Sequence, residues 1–161
     1  MKTVPREAVI KIFNRVDTAS EAEANALARR MQEEQPFILV YLLACEQEID
    51  DEQEPGWLLY LGGAVYEVMA SRKPDLRQVT GDELDQADDA NLRFLEKMEP
   101  ESEMHQQNAF EKLFFDYNQM PLLGVVVETL MAGNEETPEL AGDGVGMGLL
   151  SLKTVIDCLD Q

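Results

Sequence analysis

The sequence predicts an all-α fold: a single domain over residues 1–161, folded as a compact bundle of about six to seven helices. Three observations predict it. Apolar residues recur at helical spacing, capping-box spacings open two segments, and a proline stands at the start of each of two strongly apolar runs. With 45% hydrophobic residues, the chain can build a core without disulfides or a structural metal.

The first two predicted helices are amphipathic. Residues 5–16 carry an apolar stripe with basic side chains mostly opposite, and we expect the stripe to face the core while the charges meet acidic neighbours. A basic amphipathic helix of this kind can also contact a membrane or a partner. Ser20 lies three residues before Glu23, which is the capping-box spacing, and predicts a helix that ends before Pro36.

Two apolar runs follow prolines. After Pro36, residues 37–45 are nearly all apolar, which predicts a helix buried on all sides. A strand is the alternative for residues 37–43 and equally for residues 122–127, because short apolar runs are ambiguous. We favour helix, since Pro36 and Pro121 stand at the start of the runs and neither run alternates between apolar and polar residues.

A further apolar helix is predicted over residues 57–70, with Gly62 and Gly63 at its centre. Glycine inside a helix costs about 1 kcal/mol relative to alanine. We therefore expect another backbone to approach closely at this point, with a kink as the second explanation.

The order of these elements predicts an internal duplication. Thr80 and Glu83 repeat the capping-box spacing and open a bridging helix over about residues 80–99. The two related units cover about residues 18–71 and 102–160. Each consists of an amphipathic helix, a proline, a buried helix, an acidic connection, a glycine and a second buried helix. Two such copies predict a pseudo-symmetric bundle of three-helix units.

The charge balance limits the classes of partner. With 32 acidic against 13 basic side chains, the formal net charge is -19. Direct binding to nucleic acid or to an anionic membrane is not expected, because both need clustered basic residues. No signal peptide and no membrane-spanning run is evident, so we expect a soluble cytoplasmic protein. Cys45 and Cys158 are expected to be buried free thiols, although a bridge between them stays open.

The residues do not form a catalytic or cofactor motif. His105 is the only histidine and lacks the Glu-x-x-His spacing of di-metal bundles. The glycine-rich residues 142–148 lack the Lys-Ser/Thr pair of a phosphate-binding loop. We expect no catalytic residue, no cofactor and no metal, and an enzyme is the less favoured class.

The leading function hypothesis is a non-enzymatic protein that binds a basic protein surface through its acidic inter-helix connections, with self-association as a further expectation. Both predicted units place acids in the same connection, so that pseudo-symmetry would produce two equivalent patches. The candidate partner-binding residues are Glu46, Glu48, Asp50, Asp51, Glu52, Glu54, Glu135, Glu136 and Glu139.

The alternative function is a small helical enzyme or metal-binding protein that uses carboxylates within the apolar helices. Glu67, Glu128 and Asp157 are the candidates, because an ionised carboxylate on an apolar helix is costly unless it is paired. The competing interpretation is that they reach the surface or pair with basic residues of the same chain, namely Arg29, Arg30 and Lys153.

Overall fold

The structure is a computed structural model that describes residues 1–49, 55–98, 111, 115–132 and 144–161. These residues form seven α-helices and no strand, which confirms the all-α prediction and the helical state of both proline-led runs. In chain order the helices are α1 (Arg6–Asp17), α2 (Glu21–Glu34), α3 (Pro36–Glu48), α4 (Trp57–Arg72), α5 (Gly81–Met98), α6 (Met120–Met131) and α7 (Gly144–Leu159).

Both predicted capping positions are used. The N–H of Glu23 donates to Ser20 Oγ at 3.2 Å, and the N–H of Glu83 donates to Thr80 Oγ1 at 3.3 Å. At Thr80 the box is reciprocal, because the N–H of Thr80 donates to the Glu83 carboxylate at 2.9 Å. Pro36 is the first residue of α3 and Pro121 the second of α6, where a missing N–H removes no helical hydrogen bond.

The core forms around α4 and α7, which pack against each other. Helices α1, α2 and α3 pack on α4, whereas α3, α5 and α6 pack on α7. The second half of α4 is buried almost continuously, from Leu61 to Met69 apart from Glu67. On α1, Val9, Ile12 and Phe13 face this core, so the expected orientation of the basic first helix is confirmed.

The prediction that α3 is buried on all sides is wrong. Ile38 and Leu42 are fully buried, but Phe37, Val40 and Leu43 are exposed. Helices α2, α4, α5 and α7 cover the other faces of α3 and leave one apolar stripe exposed. Apolar composition shows that a helix can be buried, but not which of its faces another element covers.

Two buried glutamines join helix starts to extended segments. Gln35, directly before α3, accepts from the N–H of Val79 at 2.9 Å and donates to the C=O of Arg77 at 3.0 Å. Gln119, directly before α6, accepts from the N–H of Val4 at 3.1 Å and donates to the C=O of Lys2 at 3.4 Å. Both side-chain amides are fully buried. We call these contacts the glutamine bridges.

The glutamine bridges are alike in the two halves of the chain, since each holds the segment that enters α5 or α1. Such likeness is what a duplication would produce. The units proposed over about residues 18–71 and 102–160 nevertheless stay a prediction, because residues 99–110, 112–114 and 133–143 lie outside the described part of the chain.

Side chains of neighbouring helices, and not another backbone, lie against the two central glycines of α4. A Cβ added at Gly62 would collide with Leu42 Cδ1. One added at Gly63 would lie 3.4 Å from Leu27 Cδ2 and 3.6 Å from Met31 Sδ. The expectation of a close backbone was therefore wrong, because it is large side chains that fill the space.

We expect the Gln35→Leu substitution to lower the free energy of unfolding by about 1–3 kcal/mol, since it leaves the buried N–H of Val79 without an acceptor. Urea denaturation measures the change as a shift of the midpoint at constant slope. The control Gln32→Leu, on the exposed face of α2, should stay within about 0.5 kcal/mol of the parent chain. Equal effects of the two substitutions would refute a structural role for the bridge.

Replacing Gly62 or Gly63 of α4 with alanine should change the free energy of unfolding in opposite directions. Gly63→Ala should raise the free energy of unfolding by about 0.5–1 kcal/mol, because alanine favours the helix and its Cβ makes ordinary contacts. Gly62→Ala should lower it, because overpacking against buried Leu42 costs about 1–3 kcal/mol and exceeds the gain in helix propensity. Thermal unfolding of the two variants side by side checks the signs.

Candidate functional site

Two of the nine predicted partner-binding residues lie within the described part of the chain. Glu46 is half-buried and accepts from the N–H of Gly56 at 2.7 Å, so it connects the end of α3 to the start of α4. Gly56 has a φ of 90°, a left-handed conformation that favours glycine. Glu48 is exposed at the last residue of α3. The other seven lie outside the described residues: Asp50, Asp51, Glu52, Glu54, Glu135, Glu136 and Glu139.

The three carboxylates within the apolar helices, Glu67, Glu128 and Asp157, each form an ion pair with a basic residue of the chain. Glu67 lies 2.8 Å from Arg15 and 2.6 Å from Arg30, and it joins α4 to both α1 and α2. The same kind of contact joins Glu128 to Arg6, at 2.7 Å, and Asp157 to Lys153, also at 2.7 Å. Arg30 and Lys153 are among the partners that the sequence suggested, whereas Arg6 and Arg15 are not.

Asp157 is the centre of a polar cluster that ties α7 to α5. Besides Lys153, it accepts from Asn91 Nδ2 at 3.1 Å and from the Tyr117 hydroxyl at 2.6 Å. Lys153 Nζ also donates to Asn91 Oδ1 at 2.9 Å and lies 4.8 Å from the centre of the Tyr117 ring. Every polar group of the cluster therefore has a partner, which is what a buried network requires. Across the described residues, no three His, Cys, Asp or Glu side chains converge as metal ligands would.

All four tyrosines of the chain donate their hydroxyl to a carboxylate, a role that no sequence pattern indicated. The pairs are Tyr41 with Asp88, Tyr60 with Asp17, Tyr66 with Glu34, and Tyr117 with Asp157. Burial, followed by the carboxylate partner, raises the pKa of Tyr60 and of Tyr66 to about 12. Burial also raises the pKa of Tyr41 and Tyr117, and to a greater extent. No tyrosine is thus poised to ionise near neutral pH.

The two cysteines are free and half-buried. Burial raises the pKa of the Cys45 thiol, and burial together with the Asp157 charge raises the pKa of Cys158 to about 11. Because the thiolate is the nucleophile, neither cysteine is activated for catalysis.

The most distinctive exposed feature is an apolar stripe on α3, formed by Phe37, Val40, Leu43 and Ala44, which we call the α3 face. Three of its side chains are large and open to solvent: Phe37 is 48%, Val40 64% and Leu43 42% exposed. Exposed large apolar groups at helical spacing are typical of a contact surface.

Acidic residues border the α3 face. On α5, Gly81 lies beside the Phe37 ring and Asp88 accepts from the Tyr41 hydroxyl at 2.5 Å, so this side of α5 faces α3. Exposed Asp85 lies between Gly81 and Asp88 at helical spacing and therefore on the same side. Glu48 adds a charge at the end of α3.

No family model matches the chain, and no curated protein or solved structure shows significant similarity to it. None of the helices in the described residues combines the length and the apolar character needed to span a bilayer. The fold is an all-α helical bundle that exposes an apolar face bordered by acids.

The tyrosine contacts predict a pH dependence. A phenol with a raised pKa in the folded state stabilises the fold below pH 10, and this contribution is lost as the pH rises from about 10 to about 12. Absorbance at 295 nm should therefore change little in the folded protein up to about pH 11, whereas the unfolded protein should titrate near pH 10. A tyrosine that ionises near pH 10 in the folded protein would contradict these contacts.

Proposed function

We propose that the chain is a non-enzymatic interaction protein that binds a basic amphipathic segment of a partner protein across the α3 face. The observation that carries the proposal is the exposed apolar stripe of Phe37, Val40 and Leu43 with Asp85 and Glu48 beside it. A segment with apolar anchors and flanking Lys or Arg side chains is complementary to this surface in both respects.

The proposal includes the acidic connections. Four of the five residues 50–54, which follow Ile49 in the sequence, are acidic. A formal net charge of -19 would also raise the association rate of a cationic partner and make binding sensitive to salt. In this proposal the protein acts in the cytoplasm, and self-association is a competing use of the same apolar face.

The contacts within the described residues favour this function over the alternative. Glu67, Glu128 and Asp157 are each ion-paired with a basic residue of the same chain. Their charges are therefore already balanced without a metal or a substrate. No specific observation favours enzymatic or metal-binding use of these three residues.

A designed peptide tests the proposal: a 14-residue helix of leucines at positions i, i+3 and i+4 with lysines between them. We expect Val40→Lys to weaken its binding by about tenfold or more, because the substitution removes an anchor and repels the lysines. The matched control is Ile10→Lys, which likewise replaces an exposed β-branched aliphatic residue with lysine, but on α1, and should change the affinity little. Fluorescence anisotropy of the labelled peptide measures its dissociation constant for each variant.

Two further measurements make this test specific. Neutralising Glu48, Asp50, Asp51 and Glu52 to their amides should weaken binding and reduce its salt dependence. An analogue of the peptide with glutamate in place of lysine should not bind. Equal affinity of the peptide for Val40→Lys and for Ile10→Lys would exclude the α3 face, and sedimentation of the unliganded chain as a dimer through this face would favour self-association.

A further inference from the structure

A second surface feature, a groove between α1, α2 and α4, lies apart from the α3 face. Its volume is about 670 Å³, which is in the range of small-molecule sites. No residue of the α3 face lines it. The walls are mostly apolar, and they include Ala24, Leu27 and Ala28 of α2 with Leu59 and Gly63 of α4.

The groove stays open because the residues along it are small. Ala24 and Ala28 lie one helical turn apart on α2, and Gly63 adds no side chain of its own to the wall, where Leu27 and Met31 of α2 come within 3.6 Å of the position its Cβ would take. Along α4, the lining runs from Leu59 to Glu67, a distance of about 12 Å at 1.5 Å per residue. The space therefore suits a narrow aliphatic chain better than a broad ring system.

The charged residues that line the groove differ in whether they form an ion pair. Its two cations, Arg15 and Arg30, both pair with Glu67, at 2.8 and 2.6 Å. The other two charged residues of the lining are Asp17 and Glu23, and neither forms an ion pair with any Lys or Arg of the described residues. The charge left unbalanced in the groove is negative, so its complement is a cation.

Elsewhere the chain itself shows how an aliphatic ammonium binds in this fold. The Lys153 side chain, only 12% exposed, places Nζ 2.7 Å from Asp157 and 4.8 Å from the centre of the Tyr117 ring. The Tyr117 hydroxyl donates to the same carboxylate at 2.6 Å. The lysine thus combines a buried aliphatic stem, an ion pair and a cation–π contact.

The groove contains the same pair of groups without an ammonium from the described residues. The Tyr60 hydroxyl donates to Asp17 at 3.1 Å, as the Tyr117 hydroxyl does to Asp157. At Glu67, by contrast, Arg15 and Arg30 already supply the cationic partners, so Asp17 is the carboxylate of the groove that has a tyrosine but no ammonium of the described residues beside it.

From these contacts we infer that the groove binds an aliphatic primary ammonium ion. The ammonium lies at Asp17 against the Tyr60 ring, and the alkyl chain runs over Gly63 between Leu27 and Leu59. The ligand class is a linear alkylamine of about the length of the groove, bound as the cation at neutral pH.

Isothermal titration with n-octylammonium at pH 7 tests the inference, with n-octanoate and 1-octanol as probes of the same chain length. We expect octylammonium to bind at least about tenfold more tightly than either, because only it carries the complementary charge. Butylammonium should bind more weakly than octylammonium, by up to about fourfold per buried methylene that is removed. Octanoate or octanol binding as tightly as octylammonium, or no octylammonium binding at all, would overturn the inference.

Substitutions locate the binding. Asp17→Asn keeps an acceptor for the Tyr60 hydroxyl but removes the charge, and should weaken octylammonium binding by about tenfold. The control Asp75→Asn makes the same charge change at an exposed residue outside the groove and should have little effect. Gly63→Leu fills the groove and should abolish binding in a chain whose circular dichroism shows it folded. Equal losses for Asp17→Asn and Asp75→Asn would show binding to general negative charge and refute the site.

Discussion

The arrangement of the helices depends on the two glutamine bridges. Residues 2–4 and 77–79 lead into α1 and α5 outside any helix, so their backbone groups need hydrogen-bond partners other than those of a helix. Gln35 and Gln119 each offer one donor and one acceptor, which is the pattern a neighbouring strand would present. Because a buried N–H without a partner costs about 1–3 kcal/mol, these contacts fix where the two segments lie. They also join the start of α3 to the entry of α5, and the start of α6 to the entry of α1.

An excess of acids shapes the rest of the structure. Basic residues of α1 and α2 pair with Glu67 and Glu128, and four tyrosine hydroxyls each satisfy a further carboxylate. The acids in these contacts are therefore ion-paired or hydrogen-bonded within the chain. A tyrosine hydroxyl does not cancel the charge of a carboxylate, however, so acids without a basic partner, such as Asp17 in the groove, give the proposed binding surfaces their preference for cations.

Much of the fold could be predicted because its signals are local. Ser20 and Thr80 cap helices through bonds to residues three positions away, and prolines begin α3 and α6 for reasons within one turn. The glutamine bridges were missed, although a glutamine stands directly before each of these helices. Their partners lie 42–44 residues away for Gln35 and 115–117 residues away for Gln119, a separation that no periodicity reveals.

The sequence by itself determined that the protein is helical, acidic and free of a recognisable catalytic motif, since these follow from composition, spacing and charge. Only the tertiary structure decided which side of α3 stays exposed, which side chains fill the space at Gly62, and that a groove lies over Gly63. The physical reason is that burial depends on which helices meet. An apolar stripe indicates that a helix face can be buried. The packing of elements that are distant in the sequence decides whether it is buried.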